Sequence, residues 1–142
     1  MAFTGNVTTD AFLLGMPSGS YNFATGTSDV YKIALYTNAA TLDASTAVYT
    51  ATGEVTDTGY TAAGEILVVS TVPVVTSNVS YWSFDDVSWS GVITARGALI
   101  YKVSGGTVCV LDFGADKTST TTFTVQFPSP NDTSAIIRIS TP

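Results

Sequence analysis

Short runs of alternating apolar and polar residues dominate this sequence from residue 30 onward. Residues 123–127 read Phe-Thr-Val-Gln-Phe, which places three apolar side chains on one face of a β-strand. Turn-forming residues interrupt such runs about every 8–12 residues, which gives roughly eight strands. No helical pattern separates one strand from the next, so a parallel α/β sheet is not expected. We predict an all-β, single-domain antiparallel β-sandwich of the jelly-roll type, with a short N-terminal helix or arm.

Three local signals refine this prediction. Pro73 interrupts the apolar run 66–75, and because proline has no N–H to donate, this strand should lie at a sheet edge or break there. The alternation changes phase at Asp85 and Asp86, which indicates a bulge or a bend. Residues 104–106 (Ser-Gly-Gly) predict the turn of a hairpin.

The first 28 residues differ from the rest and are predicted to form an arm, with the sandwich domain covering 29–142. Thr9 and Asp10 favour a helix start, while Gly15 and Pro17 favour its end. The apolar side chains here could cap the domain's own core or dock on another molecule, and the sequence leaves both alternatives open. As candidate interface residues we name Phe12, Leu13, Leu14, Met16, Tyr21 and Phe23.

The residue types needed for much of catalysis are scarce in this chain. It has no histidine, one cysteine, and only 11% charged residues. Most hydrolytic and redox chemistry near neutral pH uses histidine, cysteine, metal ligands or a tuned charge pair. Cys109 lies in an apolar run without a histidine to activate it, so we expect a buried, unreactive thiol. We therefore predict a protein that is not an enzyme and has no catalytic, cofactor-binding or metal site.

The charge balance excludes two further classes of partner. The net charge of −6 disfavours nucleic acid, whose phosphates require a basic surface, and also anionic membranes. The N-terminus lacks the features of a signal peptide, and no apolar run approaches the roughly 18–20 residues of a membrane helix. We expect synthesis and folding in a cytoplasm.

Acidic residues offer the strongest alternative to a structural role. Asp85 and Asp86 could supply half of a carboxylate pair for glycoside hydrolysis or oxygen ligands for calcium. Successive side chains in a strand point to opposite faces, so a structural turn is favoured over both. The enzymatic alternative is a small glycosidase that uses Asp85, Asp86, Glu54 or Glu65.

Tyrosines and one arginine complete the set of candidate residues. Residues 38–64 form the longest irregular stretch, and long loops often carry binding sites. Tyr49 and Tyr60 in this stretch are candidate interface residues; with Tyr21 and Tyr36 they could instead stack on sugars, or serve as packing lids. Arg96 is also a candidate interface residue.

For Arg96 the sequence leaves three readings open. It could lie on a solvated face, or pair with a carboxylate of its own chain such as Asp86 or Asp112. It could also form a salt bridge between subunits, because arginine is favoured at interfaces.

Seven segments carry a family resemblance over about residues 8–139. They are 32–37 (KIALYT), 40–43 (ATLD), 52–55 (TGEV), 59–64 (GYTAAG), 84–89 (FDDVSW), 95–101 (ARGALIY) and 110–117 (VLDFGADK). In order and spacing they resemble a family of small β-rich virion proteins of tailed bacteriophages. The resemblance implies a structural component of the particle, and no catalytic residue carries over from it.

Among the roles such proteins fill, we expect a capsid decoration (cement) protein on the exterior of the head. Its partners would be the major capsid protein and its own copies, in a homotrimer, after synthesis in the host cytoplasm. Weak contacts repeated by symmetry suit a chain of low charge. The alternative is a tail, neck or tail-fibre component that recognises a cell-surface glycan.

Overall fold

A computed structural model describes residue 3 and residues 5–140. In this part of the chain it has one short helix and ten strands, two more than the sequence predicts, because β1 is added and the run 66–75 is divided. The elements are β1 (Val7–Thr8), α1 (Asp10–Gly15), β2 (Tyr31–Tyr36), β3 (Glu65–Leu67), β4 (Val69–Thr76), β5 (Val79–Phe84), β6 (Val87–Ser90), β7 (Thr94–Lys102), β8 (Thr107–Thr118), β9 (Thr122–Val125) and β10 (Ile137–Ser140).

The strands form three antiparallel sheets. Sheet A has the order β1-β8-β7-β2-β3, sheet B the order β10-β5-β4, and sheet C pairs β6 with β9. Sheets B and C both contribute side chains to the apolar core on one face of sheet A. The prediction of a mostly β, antiparallel fold with a short helix is confirmed, whereas a jelly roll is not confirmed, because the strands are divided among three sheets.

Helix α1 begins where the sequence predicts. The Thr9 hydroxyl accepts a hydrogen bond from the Phe12 N–H (3.4 Å), and Asp10 places a negative charge in the first turn. Gly15 ends the helix where Tyr21 packs closely, since a Cβ atom at Gly15 would lie 2.3 Å from the Tyr21 ring. The helix is therefore fixed at both ends by its own chain.

Strand β4 shows both features predicted from Pro73. It lies at the edge of sheet B, and its register with β5 shifts between Thr71 and Val74, on either side of the proline. The following turn uses Ser77 and Asn78, both with positive φ, as the tight turn of a two-residue hairpin requires.

The phase change at Asp85 and Asp86 is a bend between sheets. The chain leaves sheet B after Phe84 and enters sheet C at Val87, so the predicted bend is confirmed. The hairpin turn predicted at residues 104–106 is also confirmed, because it joins the paired strands β7 and β8.

The arm contributes aromatic side chains to the main core. The Phe23 ring lies 4.4 Å from Tyr31 and 4.9 Å from Trp82, centroid to centroid, and the Phe12 ring lies 5.2 Å from Tyr21. Rings at such distances bury large apolar areas and interact favourably. Residues 10–23 thus close one end of the core, which was one of the two alternatives for the arm.

The long irregular segment 38–64 covers the other face of sheet A. Ala40 and Leu42 from this segment and Phe3 from the N-terminus are buried against Leu99 of β7 in a second apolar cluster. Sheet A is therefore covered on both faces, so β2 and β7 are buried at nearly every position.

Candidate functional site

One buried carboxylate organises the segment that covers sheet A. Glu54 is only 8% exposed, and its two oxygens accept three hydrogen bonds. Oε2 accepts from the Tyr49 hydroxyl (2.6 Å), while Oε1 accepts from the Tyr60 hydroxyl (2.6 Å) and the Ala63 N–H (2.7 Å). A buried charge is tolerated when donors surround it in this way. The glycosidase alternative counted Glu54 as a possible acid, but here both of its oxygens are occupied by the chain itself.

The tyrosines around Glu54 connect this segment to sheet A. The Tyr60 hydroxyl accepts the Leu35 N–H (2.9 Å) while it donates to Glu54. Tyr36 donates to the Thr50 carbonyl (2.6 Å), and Tyr101 donates to the Ala63 carbonyl (2.7 Å). The network thus fixes the segment to β2 and β7, which makes it structural support for the fold.

Burial and the nearby Glu54 charge keep these phenols protonated. Burial first, and then Glu54, raise the pKa of Tyr36, Tyr49 and Tyr60 far above the usual range for tyrosine. The same causes raise the pKa of Tyr101 to about 12. At neutral pH all four therefore act as hydrogen-bond donors, and none is poised to act as a base.

We expect the free energy of unfolding to fall steeply as the pH rises above about 10, where tyrosines of the unfolded chain ionise. In the folded protein the raised pKa values keep these tyrosines protonated, whereas in the unfolded chain they lose their protons above about pH 10. Ionisation of the unfolded chain therefore shifts the equilibrium towards unfolding. The stability is fully present below the unfolded-state pKa and is lost as the pH rises towards the folded-state values. Urea unfolding followed by tryptophan fluorescence between pH 8 and about pH 11 measures this; a flat profile contradicts it.

Arg96 is paired within its own chain. Its Nη2 lies 3.0 Å from Asp112 Oδ1, and both side chains are 9% exposed. Asp112 also accepts the Gly5 N–H (2.9 Å), and the guanidinium carbon lies 5.8 Å from the centre of the Phe3 ring. Of the three possibilities that the sequence leaves open, the structure shows the pair with Asp112. This ion pair holds the N-terminal segment against β8.

The two adjacent aspartates occupy an exposed bend. Asp86 Oδ1 accepts the Phe127 N–H (2.8 Å) and so connects the bend to the chain after β9. Across residue 3 and residues 5–140, no three His, Cys, Asp or Glu side chains are grouped as a metal site would require. The Asp86 side chain therefore stabilises the bend.

Cys109 lies within β8 and is buried. Burial raises the pKa of its thiol to about 12, so the thiol is protonated at neutral pH. This agrees with the expectation of a buried, unreactive side chain.

The structure divides the remaining candidate interface residues into three groups by their exposure. Phe12, Tyr21 and Phe23 belong to the core, and the Tyr21 hydroxyl donates to the Thr107 carbonyl (2.7 Å). By contrast, Leu13 is 59% and Leu14 is 74% exposed on helix α1. Met16, Tyr49 and Tyr60 are partly buried. Only the two leucines among these residues present a largely free apolar side chain to a partner.

Sequence reasoning missed a second exposed apolar surface, on sheet B. Val72, Val74 and Val75 of β4 are 42%, 40% and 67% exposed, and Ile139 of β10 is 46% exposed. A signal was present in the sequence, because residues 66–84 contain no charged side chain. The sequence predicts an edge strand or a break at Pro73, but it does not show which valines of such a strand are left uncovered.

In the described part of the chain, no helix is both long and apolar enough to cross a membrane.

Comparisons with known proteins identify no relative of this chain. The chain matches no protein-family model, no curated protein and no solved structure.

Proposed function

We propose that this protein is a non-enzymatic structural component of a tailed-bacteriophage virion, and specifically a decoration protein on the exterior of the head. In this role it binds the major capsid protein and its own copies, as a symmetric trimer. The family resemblance of the seven sequence segments supports the virion assignment. Sheet A on one side and sheets B and C on the other suit a jelly-roll-like sandwich, which is part of the proposal.

The observation that carries the proposal is an exposed leucine on a firmly anchored helix. Leu14 is 74% exposed, whereas Phe12, two residues earlier, is 2% exposed and packed among aromatic rings. A fixed helix presents its free apolar side chain without a large ordering cost on binding. Such side chains form the centres of protein–protein contacts.

The carboxylates also support a structural role. Glu54 is bound by two tyrosines, Asp112 by Arg96, and Asp57 accepts the Thr94 N–H (2.8 Å). Asp57 and Asp112 join segments that are distant in the sequence, and Glu54 holds together the segment 49–63. The contacts of these carboxylates stabilise the fold, as a structural component of a particle requires.

One groove favours glycan recognition as a second candidate function. Tyr49 and Tyr101 are stacked (4.9 Å between ring centroids) in the wall of a groove of about 580 Å³ that Lys32 also lines. Aromatic side chains beside a cation suit a sugar that carries an acidic group. This groove supports the tail or tail-fibre alternative.

Replacing Leu14 with aspartate is expected to weaken binding to heads that lack the protein by about 10- to 100-fold. The loss corresponds to burial of one leucine, worth about 1.5–3 kcal/mol. Purified protein is added to such heads, and the bound fraction is measured by co-sedimentation over a range of concentrations. Val92→Asp is the matched control, because Val92 is 62% exposed and lies in the loop before β7.

Full occupancy of the heads by Leu14→Asp at wild-type concentrations would show that α1 is not the contact. If wild-type protein fails to bind heads but binds acidic glycans, the glycan-recognition function is favoured instead.

A further inference from the structure

Sheet B ends in two open edges that run in the same direction. Both β4 and β10 are antiparallel to the central strand β5, so they are parallel to each other. Among residues 5–140, no strand pairs with the outer side of either one. Open edges of this kind present unpaired N–H and C=O groups to any extended chain.

The β10 edge borders an apolar groove of about 460 Å³. Phe12 and Leu13 of helix α1, with Met16 directly after it, form the opposite wall, and residues 137–139 line the β10 side. Three consecutive residues line a groove together only along the free edge of a strand, because successive side chains point to opposite faces. The groove is therefore placed to receive an extended chain beside β10.

The β4 edge has the properties expected of an extended segment that binds in this groove. Val75, its most exposed valine, is 67% exposed and lies opposite Ser80, which in turn lies opposite Ile139. Pro73 has no N–H, which leaves Val74–Thr76 as the part of the edge that can pair without interruption. The segment is extended, apolar and free of charge.

The absence of charge along this edge favours a second copy as the occupant. Each copy carries a net charge of −6, so two copies repel each other. This repulsion is smallest where the contact surfaces bring no carboxylates together. Residues 66–84, which include the β4 edge, are uncharged. One side of such a contact offers the eleven residues of the hairpin tip 70–80, and the other side offers the eight residues that line the groove. Both numbers lie below the about 20–30 residues a side of a standard interface, so each single contact is weak and gains from being repeated by symmetry.

We propose that the β4 edge of one copy adds to the β10 edge of the next, with Val75 beside the groove that Leu13 lines. The two edges are parallel, so copies related by a rotation axis along the strands can pair β4 of one copy with β10 of the next. Sheet B then continues from copy to copy, and the copies form a closed ring. This deepens the proposed structural role by naming the surface through which copies meet.

Self-association of the full chain, measured by sedimentation velocity over a range of concentrations, tests the proposal. We expect the wild type to associate, and Val75→Glu and Leu13→Glu each to weaken association at least ten-fold. Both positions are more than half exposed, so the substitutions leave the fold intact, which circular dichroism checks. Val92→Glu, at a position 62% exposed in the loop before β7, is the matched control and should associate like the wild type.

A mixture of the two variants tests the head-to-tail arrangement directly. Val75→Glu keeps an intact groove and Leu13→Glu keeps an intact β4 edge, so an equimolar mixture should form a pair that neither variant forms alone. No association in the mixture, or a monomeric wild type at all concentrations, would overturn the proposal. A monomeric wild type whose Val75→Glu variant binds heads poorly would show that the shell occupies this surface. Self-association without any binding to heads would leave this contact standing and reject the decoration role.

Discussion

Replacing Phe12 with alanine is expected to lower the free energy of unfolding by about 3–5 kcal/mol. The side chain is 2% exposed and lies within 5.2–6.2 Å of the rings of Tyr21, Phe23 and Trp82, centroid to centroid. Its removal leaves a cavity among aromatic side chains that are themselves fixed by packing. Urea unfolding followed by tryptophan fluorescence measures the loss.

Leu14→Ala is the matched control for Phe12→Ala. Leu14 lies on the same helix but is 74% exposed, so its replacement should change stability by less than about 0.5 kcal/mol. Deletion of residues 2–16 should destabilise the whole domain, because Phe3, Thr9 and Phe12 are all buried. Equal, small losses for the two alanine variants would show that the arm is not part of the core.

Replacing Glu54 with alanine is the second change with a large expected effect, a loss of about 3 kcal/mol or more. It leaves the hydroxyls of Tyr49 and Tyr60 and the N–H of Ala63 without their acceptor. Each unsatisfied buried group costs about 1–3 kcal/mol. Thermal and urea unfolding at pH 7 measure the loss, and Glu65→Ala at a partly exposed acid of β3 is the control.

Glu54→Gln separates the charge of this side chain from its hydrogen bonds. Glutamine has nearly the same shape and still offers one acceptor, so we expect a smaller loss of stability than for alanine. Without the negative charge, the pKa of Tyr49 and Tyr60 should fall, although burial still holds both above the usual tyrosine range. A spectrophotometric alkaline titration reports this; no difference between Gln and wild type would show that the charge has no part in raising the pKa.

The elements that could be predicted from the sequence are those fixed by local chemistry. Thr9 and Asp10 mark a helix start in any context, and Pro73 cannot continue a hydrogen-bonded ladder. Residues 104–106 form a turn because glycine and a residue with positive φ are available there, Ser104 having a φ of 59°. Such signals depend only on residues that are neighbours in the chain, so they can be recognised before the fold is known.

The role of the segment 38–64 depends on partners far away in the sequence, so local patterns missed it. Tyr60 contacts Leu35 and Tyr101 contacts Ala63, across 25 and 38 positions, and the acidic character of Glu54 suggested only a catalytic candidate. One clue was available. Residues 33–36 (Ile-Ala-Leu-Tyr) are apolar at both parities, which indicates a strand buried on both faces and therefore a second covering layer.

The contacts of the N-terminal segment have a consequence for the order of folding. The Gly5 N–H binds Asp112 and the Thr9 hydroxyl binds Val108, across 107 and 99 positions of the chain. Contacts between such remote positions form slowly, because a long loop must close first. On the ribosome residues 5–9 are made before β8, so they must wait for their partners until β8 has emerged. Until then Phe12 and its aromatic neighbours are exposed in the nascent chain, which makes this the interval in which the protein is most prone to aggregate.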